Sequence, residues 1–134
     1  MNDVPAVPIS VVIADDDPDI RALISIAVRN AGLSLVAAAC DGDEAWLSLL
    51  EHRPRLAVLD VAMPGMTGLE VCALVRADES LSGMRIVLLS AAADDQARLA
   101  GVATGADAYF TKPFSPRDLA ARLSDFMSAD GVGS

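Results

Sequence analysis

Four polar elements punctuate the apolar runs of this 134-residue chain: Asp15-Asp16-Asp17 follows VVIA, Asp60 follows LAVL, Ser90 follows IVLL, and Lys112-Pro113 follows AYFT. If each run is a strand of one parallel sheet, the runs end on a common edge and these side chains share a site. Such a site combines several carboxylates, a hydroxyl and an ammonium. Lys112 is the only lysine, the other nine basic residues being arginine, and it stands where a point charge would meet the carboxylates. At contact distance, in an effective dielectric of about 20, Asp15 and Asp16 would repel each other by about 4 kcal/mol, which calls for a cation. Oxygen donors with no neighbouring histidine or thiolate favour a hard divalent ion such as Mg²⁺. The chemistry these groups suit is metal-assisted phosphoryl transfer.

Each element also has a plainer reading. Asp17 before Pro18 is a helix cap followed by an N1 proline, and that reading is preferred for it. Asp60 precedes Pro64-Gly65 and could cap a turn; Ser90 is an ordinary residue after a strand; Lys112-Pro113 could be a plain turn. Two arguments weigh against these readings taken together. Open parallel sheets bind ligands at the carboxyl ends of their strands, and a buried lysine is rarely left without a counter-charge. The X-Pro bond also offers a cis peptide that would aim Lys112 back across the sheet edge.

The elements that must position these groups follow from hydrophobic patterning. Short apolar runs alternate with amphipathic ones, which predicts five strand–helix units in an α/β fold. The strands are read at Ile9–Ala14, Leu35–Ala39, Leu56–Leu59, Arg85–Leu89 and Ala108–Phe110. The first, third and fourth are nearly continuous apolar runs, as expected of strands covered on both faces. The helices are read at Pro18–Ala31, Asp43–His52, Gly68–Ala77, Asp95–Ala103 and Pro116–Met127. Gly32 is placed as a C′ glycine, Thr67 with Glu70 as a capping box, and Ser115-Pro116 as a second cap-plus-proline start. Residues 1–8 and 129–134 are read as flexible tails around a single domain at 9–128.

Composition narrows the functions. With 19 acidic against 10 basic residues and a net charge of −9, direct nucleic acid binding is not expected. The apolar fraction is 53%, yet no uncharged run approaches the roughly 18 residues that span a bilayer. The first ten residues lack a basic segment leading into an apolar one, so a cytoplasmic protein without a membrane segment is expected. Cys40 and Cys72 lack C-x-x-C spacing and are expected to be buried, reduced and structural.

The segments VVIADDDPDI, LAVLDVAMPGMTGLEV, IVLLSAAA and GADAYFTKPFSPRDL, in this order and spacing, make the chain resemble a bacterial two-component response regulator receiver domain from Ile9 to Met127. The resemblance implies a flavodoxin-like, doubly wound, five-stranded parallel sheet of order 2-1-3-4-5 flanked by five helices. It implies that Asp60 is the phosphoacceptor, and that Asp15, Asp16, Asp60 and the main-chain carbonyl of Ala62 hold Mg²⁺. It further implies Ser90 as the switch hydroxyl, Tyr109 as the aromatic switch that enters a space opened when Ser90 follows the phosphoryl group, and Lys112 as the charge-neutralising lysine. The implied partners are a sensor histidine kinase or a histidine phosphotransfer protein. A downstream effector domain or protein would be reached through the face of the fourth helix, fifth strand and fifth helix, and a homodimer is a further implied assembly.

Such a chain is not an enzyme in the ordinary sense, catalysing only its own phosphorylation and dephosphorylation. Ala62 and Ala92 depart from relatives that carry polar side chains at these positions, so the lifetime of a phosphorylated state is expected to depend on shielding and water access. A phosphorylation-independent interaction module is the main alternative. A Mg²⁺ phosphatase with an aspartyl nucleophile is disfavoured because Ala62 cannot supply a second acid, and a nucleotide-binding or flavin-binding protein is disfavoured because no Gly-rich phosphate loop is present.

Overall fold

The computed structural model describes residues 8–91 and 95–132. Of the expected flexible tails, residues 1–7 and 133–134 lie outside the described residues, as does Ala92. Five strands, β1 (Ser10–Ala14), β2 (Ser34–Ala39), β3 (Leu56–Asp60), β4 (Arg85–Ser90) and β5 (Ala108–Thr111), form one sheet in the order β2-β1-β3-β4-β5. All pairings are parallel. The fold is the expected flavodoxin-like one.

Five helices flank the sheet: α1 (Pro18–Asn30), α2 (Gly42–His52), α3 (Gly68–Ala77), α4 (Asp95–Ala103) and α5 (Pro116–Val132), with a short 3-10 turn at Glu79–Leu81. Because side chains alternate along a strand, β1 sends Val12 and Ala14 to one apolar layer and Val11 and Ile13 to the other. Helices α2 and α3 close the first layer through Ala45, Leu49, Val71 and Val75. Helices α1 and α5 close the second through Ile24, Val28, Leu119 and Leu123. Every residue of β3 is buried, which is why LAVLD reads as an unbroken apolar run ending in a charge.

Local signals set the loop lengths. The Asp17 side chain accepts from the Asp19 and Ile20 amides ahead of Pro18, the Thr67–Glu70 capping box is closed in both directions, and Gly32 takes a positive φ of 80° just past α1. Two departures from the sequence reading are informative. Helix α2 begins at Gly42, one residue early, because Asp41 is its N-cap and Glu44 reaches back to the Cys40 amide. Helix α5 runs to Val132, past Met127, so residues 129–132, expected in the flexible tail, are helical instead. Strand β2 lies at the sheet edge, as the expected order placed it, and a register irregularity opposite Val11 and Val12 leaves Val36 38% exposed.

The cysteines divide. Cys72 is buried as expected, its Sγ donating to the Thr104 carbonyl at 3.3 Å. Cys40 is exposed, contrary to expectation, because it follows the end of edge strand β2 instead of continuing it. Its thiol pKa is held above the ordinary value by Glu44 beside it.

Candidate functional site

Strand β1 ends in the core, so Asp15 is carried into a fully buried position, 0% exposed. A buried carboxylate needs partners for its oxygens. Asp15 Oδ1 accepts the Asp17 amide at 2.9 Å and Oδ2 accepts Lys112 Nζ at 2.9 Å. Its main chain is held as well: the amide donates to the Ala39 carbonyl of β2 at 3.1 Å, and the carbonyl accepts Arg21 Nη1 at 2.8 Å. Asp16, the next residue, is exposed.

Asp60 is the last residue of central strand β3 and only 4% exposed. Its Oδ1 lies 3.2 Å from Lys112 Nζ. Burial first, and then the Asp15 charge, push the Asp60 carboxyl above its ordinary pKa, while Lys112 and the Ala62 amide that donates to it pull the other way. The loop behind Asp60 is pinned at three points. The Val61 amide donates to Leu89 O at 2.9 Å, that of Gly42 to Pro64 O at 3.1 Å, and that of Gly68 to Val61 O at 3.0 Å.

Lys112 arrives from the end of β5, where its amide donates to the Ser90 carbonyl at 2.8 Å and its peptide to Pro113 is cis. Burial disfavours its ammonium, but the hydrogen bond to Asp15 and the charges of Asp60 and Asp15 outweigh that and raise its pKa. Ser90 ends β4 and is 6% exposed. The structure therefore gathers Asp15, Asp16, Asp60, Ser90 and Lys112 on one sheet edge, as their positions after apolar runs required.

Tyr109 lies on β5 and is already interior, 6% exposed. Helix α4 packs over its ring at Gly101, where a Cβ would approach Tyr109 Cδ2 to 2.8 Å. Arg98 of α4 donates to the Tyr109 carbonyl at 3.2 Å, and its guanidinium stands 5.4 Å from the ring centre. The ring is thus already enclosed beneath α4 in this conformation.

Carboxylate oxygens of Asp15, Asp16 and Asp60 all lie within 4.8 Å of one another. Three carboxylates against one ammonium leave two excess negative charges, the charge of one divalent cation. The donors are all oxygen, so the set fits a hard ion such as Mg²⁺. Without such an ion, ionised Asp60 carries a penalty, because its folded-state pKa is raised above the unfolded one. That penalty is present at neutral pH and fades as pH falls through the folded pKa. In metal-free buffer at neutral pH, Asp60→Asn is therefore expected to stabilise the fold by about 1–2 kcal/mol. Melting curves should show that gain shrinking in acid and on addition of Mg²⁺ to the wild type.

Two participants escaped the sequence reading. Arg21 lies six residues beyond Asp15 on α1, outside the polar elements that follow the apolar runs. The Ala62 amide offers no side-chain signal at all.

The response regulator receiver domain family model matches residues 11–124. The chain is 40% identical over 113 residues to the DNA-binding response regulator MtrA of Mycolicibacterium smegmatis, covering 84% of this chain and 48% of that protein. It is 34% identical over 124 residues to the phosphate regulon transcriptional regulatory protein PhoB of Pseudomonas aeruginosa, covering 92% and 54%. The chain thus spans about half the length of the curated relatives it matches. Among solved structures, the chemotaxis response regulator CheY4 of Vibrio cholerae is similar at a TM-score of 0.81 and 31% identity, over 89% of this chain and 98% of that one.

Proposed function

This chain belongs to the response regulator receiver domain family, and we propose that it is a phosphorylatable receiver of a two-component phosphorelay with Asp60 as the phosphoacceptor. The observation that carries this reading is Asp60 itself: a carboxylate at the end of the central strand, 3.2 Å from a lysine and within 4.8 Å of two further acids. Its attacking oxygen would form a bond to the phosphorus of a phosphohistidine on a sensor histidine kinase or histidine phosphotransfer protein, as the P–N bond breaks and imidazole leaves with the electron pair and takes up a proton. Asp15, Asp16, Asp60 and the Ala62 carbonyl would hold Mg²⁺, which when bound neutralises charge on the phosphoryl oxygens. Lys112 would add its own positive charge beside Asp60, and it helps keep Asp60 ionised.

Phosphorylation adds about −1.5 to −2 charges at this edge. Ser90 would donate to a phosphoryl oxygen, and its loop leads into α4, beneath which Tyr109 is packed. A shift of that loop would alter how α4 lies on β5, so the α4-β5-α5 face would report the phosphorylation state to an effector domain or protein, or to a second copy of the chain. We take the receiver unit to be residues 9–128, with α5 continuing to Val132, working in the cytoplasm and catalysing only its own phosphorylation and dephosphorylation. Among the described residues, no helix is long and apolar enough to cross a membrane.

The test is intact mass after incubation with Mg²⁺ and acetyl phosphate. Wild type gains one phosphoryl group and Asp60→Asn gains none. No gain with either Mg²⁺ or Mn²⁺ would move the reading to a phosphorylation-independent interaction module. Ala62 has no polar side chain to orient a hydrolytic water, so Ala62→Asn is expected to shorten the phosphorylated lifetime about three- to tenfold by positioning that water. An unchanged decay rate would count against control by water access.

A further inference from the structure

We infer that Arg21 is a positioning residue that orients the Asp15–Asp16 peptide, and through it Asp16, for divalent-cation binding. This rests on the cation site proposed above.

The two acids of that site are held very differently. Asp15 is fixed by both carboxylate oxygens, by its amide and by its carbonyl. Asp16 is exposed, and among the described residues no hydrogen bond restrains its carboxylate. What orients Asp16 is the peptide it shares with Asp15, because rotating that plane swings the Asp16 Cα and the direction of its side chain. The carbonyl of this peptide is the atom that Arg21 Nη1 grips at 2.8 Å.

Arg21 sits on the first turns of α1, which the Asp17 cap and Pro18 start at a fixed point. The bond therefore ties the acidic loop to a rigid element. The guanidinium also lies near the end of β2, where its charge is felt by the Cys40 thiol. It thus spans the edge from α1 across β1 towards β2. A charge-assisted bond to a carbonyl is stronger than a neutral one and geometrically narrow. A metal site in turn depends on supporting bonds that hold its ligands at the right angle.

A positioning role and a simple charge effect have opposite signs. The guanidinium is a positive charge near a divalent cation, so by charge alone its removal would tighten binding. If Arg21 positions Asp16, its removal loosens binding despite that relief.

The experiment is calorimetric titration of the phosphate-free chain with MgCl₂ alone, for wild type, Arg21→Gln and Arg21→Lys. Arg21→Gln is expected to weaken Mg²⁺ binding about tenfold, the scale seen when supporting partners of metal ligands are removed. Arg21→Lys, which keeps the charge and one donor, should fall between the two. Equal or tighter binding by Arg21→Gln overturns the inference while leaving the site intact. If Arg21→Gln does not fold, as judged by circular dichroism, Arg21→Lys carries the test, and binding equal to wild type overturns it. Absence of Mg²⁺ binding by the wild type would instead overturn the site reading on which the inference rests.

Discussion

Replacing Lys112 by alanine is expected to slow phosphoryl uptake from acetyl phosphate about a hundredfold, the scale lost when one preorganised donor to developing charge is removed. The same change should tighten Mg²⁺ binding. The ammonium now stands 2.9 Å from Asp15 and 3.2 Å from Asp60, competing with any cation for those carboxylates. Removing it should raise affinity about three- to tenfold, since a unit charge several ångströms away is worth on the order of 1 kcal/mol in a partly solvated site. Without the ion, Lys112→Ala leaves Asp15 buried and short of its counter-charge, so metal-free stability should fall by about 2–4 kcal/mol and recover on adding Mg²⁺. A time course by intact mass, a calorimetric titration and paired melting curves read these three effects. Uptake at the wild-type rate would remove Lys112 from the chemistry and leave it a purely structural counter-ion.

The largest loss of stability away from the site is expected from Arg76→Ala. Arg76 of α3 donates Nε to Gly105 O at 2.8 Å, Nη1 to Met84 O at 2.7 Å and Nη2 to Asp107 Oδ2 at 2.8 Å. These three bonds fasten α3 to the turn before β4 and to the connection between α4 and β5. The Asp107 carboxylate is shared, since Oδ2 also accepts the Ile86 amide at 2.8 Å. Truncation strands two carbonyls and removes a charge partner together. A loss of about 3–4 kcal/mol follows, below the sum of separate charged hydrogen bonds because the contacts are not additive. In a domain of this size that lowers the melting temperature by roughly 10 °C or more. Phosphoryl uptake at low temperature should be retained, because none of these contacts touches Asp60. A melting temperature within about 2 °C of wild type would show that the clamp is dispensable.

How much was legible in the sequence depended on whether the signal was local. The helix starts at Pro18 and Gly68 were readable because Asp17 and the Thr67–Glu70 pair satisfy amides within three residues. The start of α2 was misplaced by one residue although the same kind of signal, Asp41 with Glu44, was present. Its end at His52 was read correctly, although the residue that follows, Arg53, takes the left-handed conformation, φ 45°, that glycine usually marks. Cys40 sits at the end of an alanine-rich strand and so read as buried. It is exposed because β2 stops at the buried Ala39 and Cys40 lies just past it, ahead of the Asp41 cap of α2.

The sequence by itself determined which residues could do chemistry here and that they would meet. Each follows an apolar run, and parallel strands bring the carboxyl ends of such runs to one edge. Apolar periodicity likewise determined the five strand–helix units, because burial on both faces leaves a continuous hydrophobic run in the chain. Tertiary structure alone decided the geometry. Lys112 reaches Asp15 across 97 residues of sequence, and it bonds Asp15 more closely than Asp60, which no spacing rule anticipates. Tyr109 is already packed beneath α4 because Gly101 permits the approach, and Arg21 grips the Asp15 carbonyl because the first turns of α1 pass beside the end of β1. Such contacts depend on distances between elements, and those are set by how side chains fill the two apolar layers.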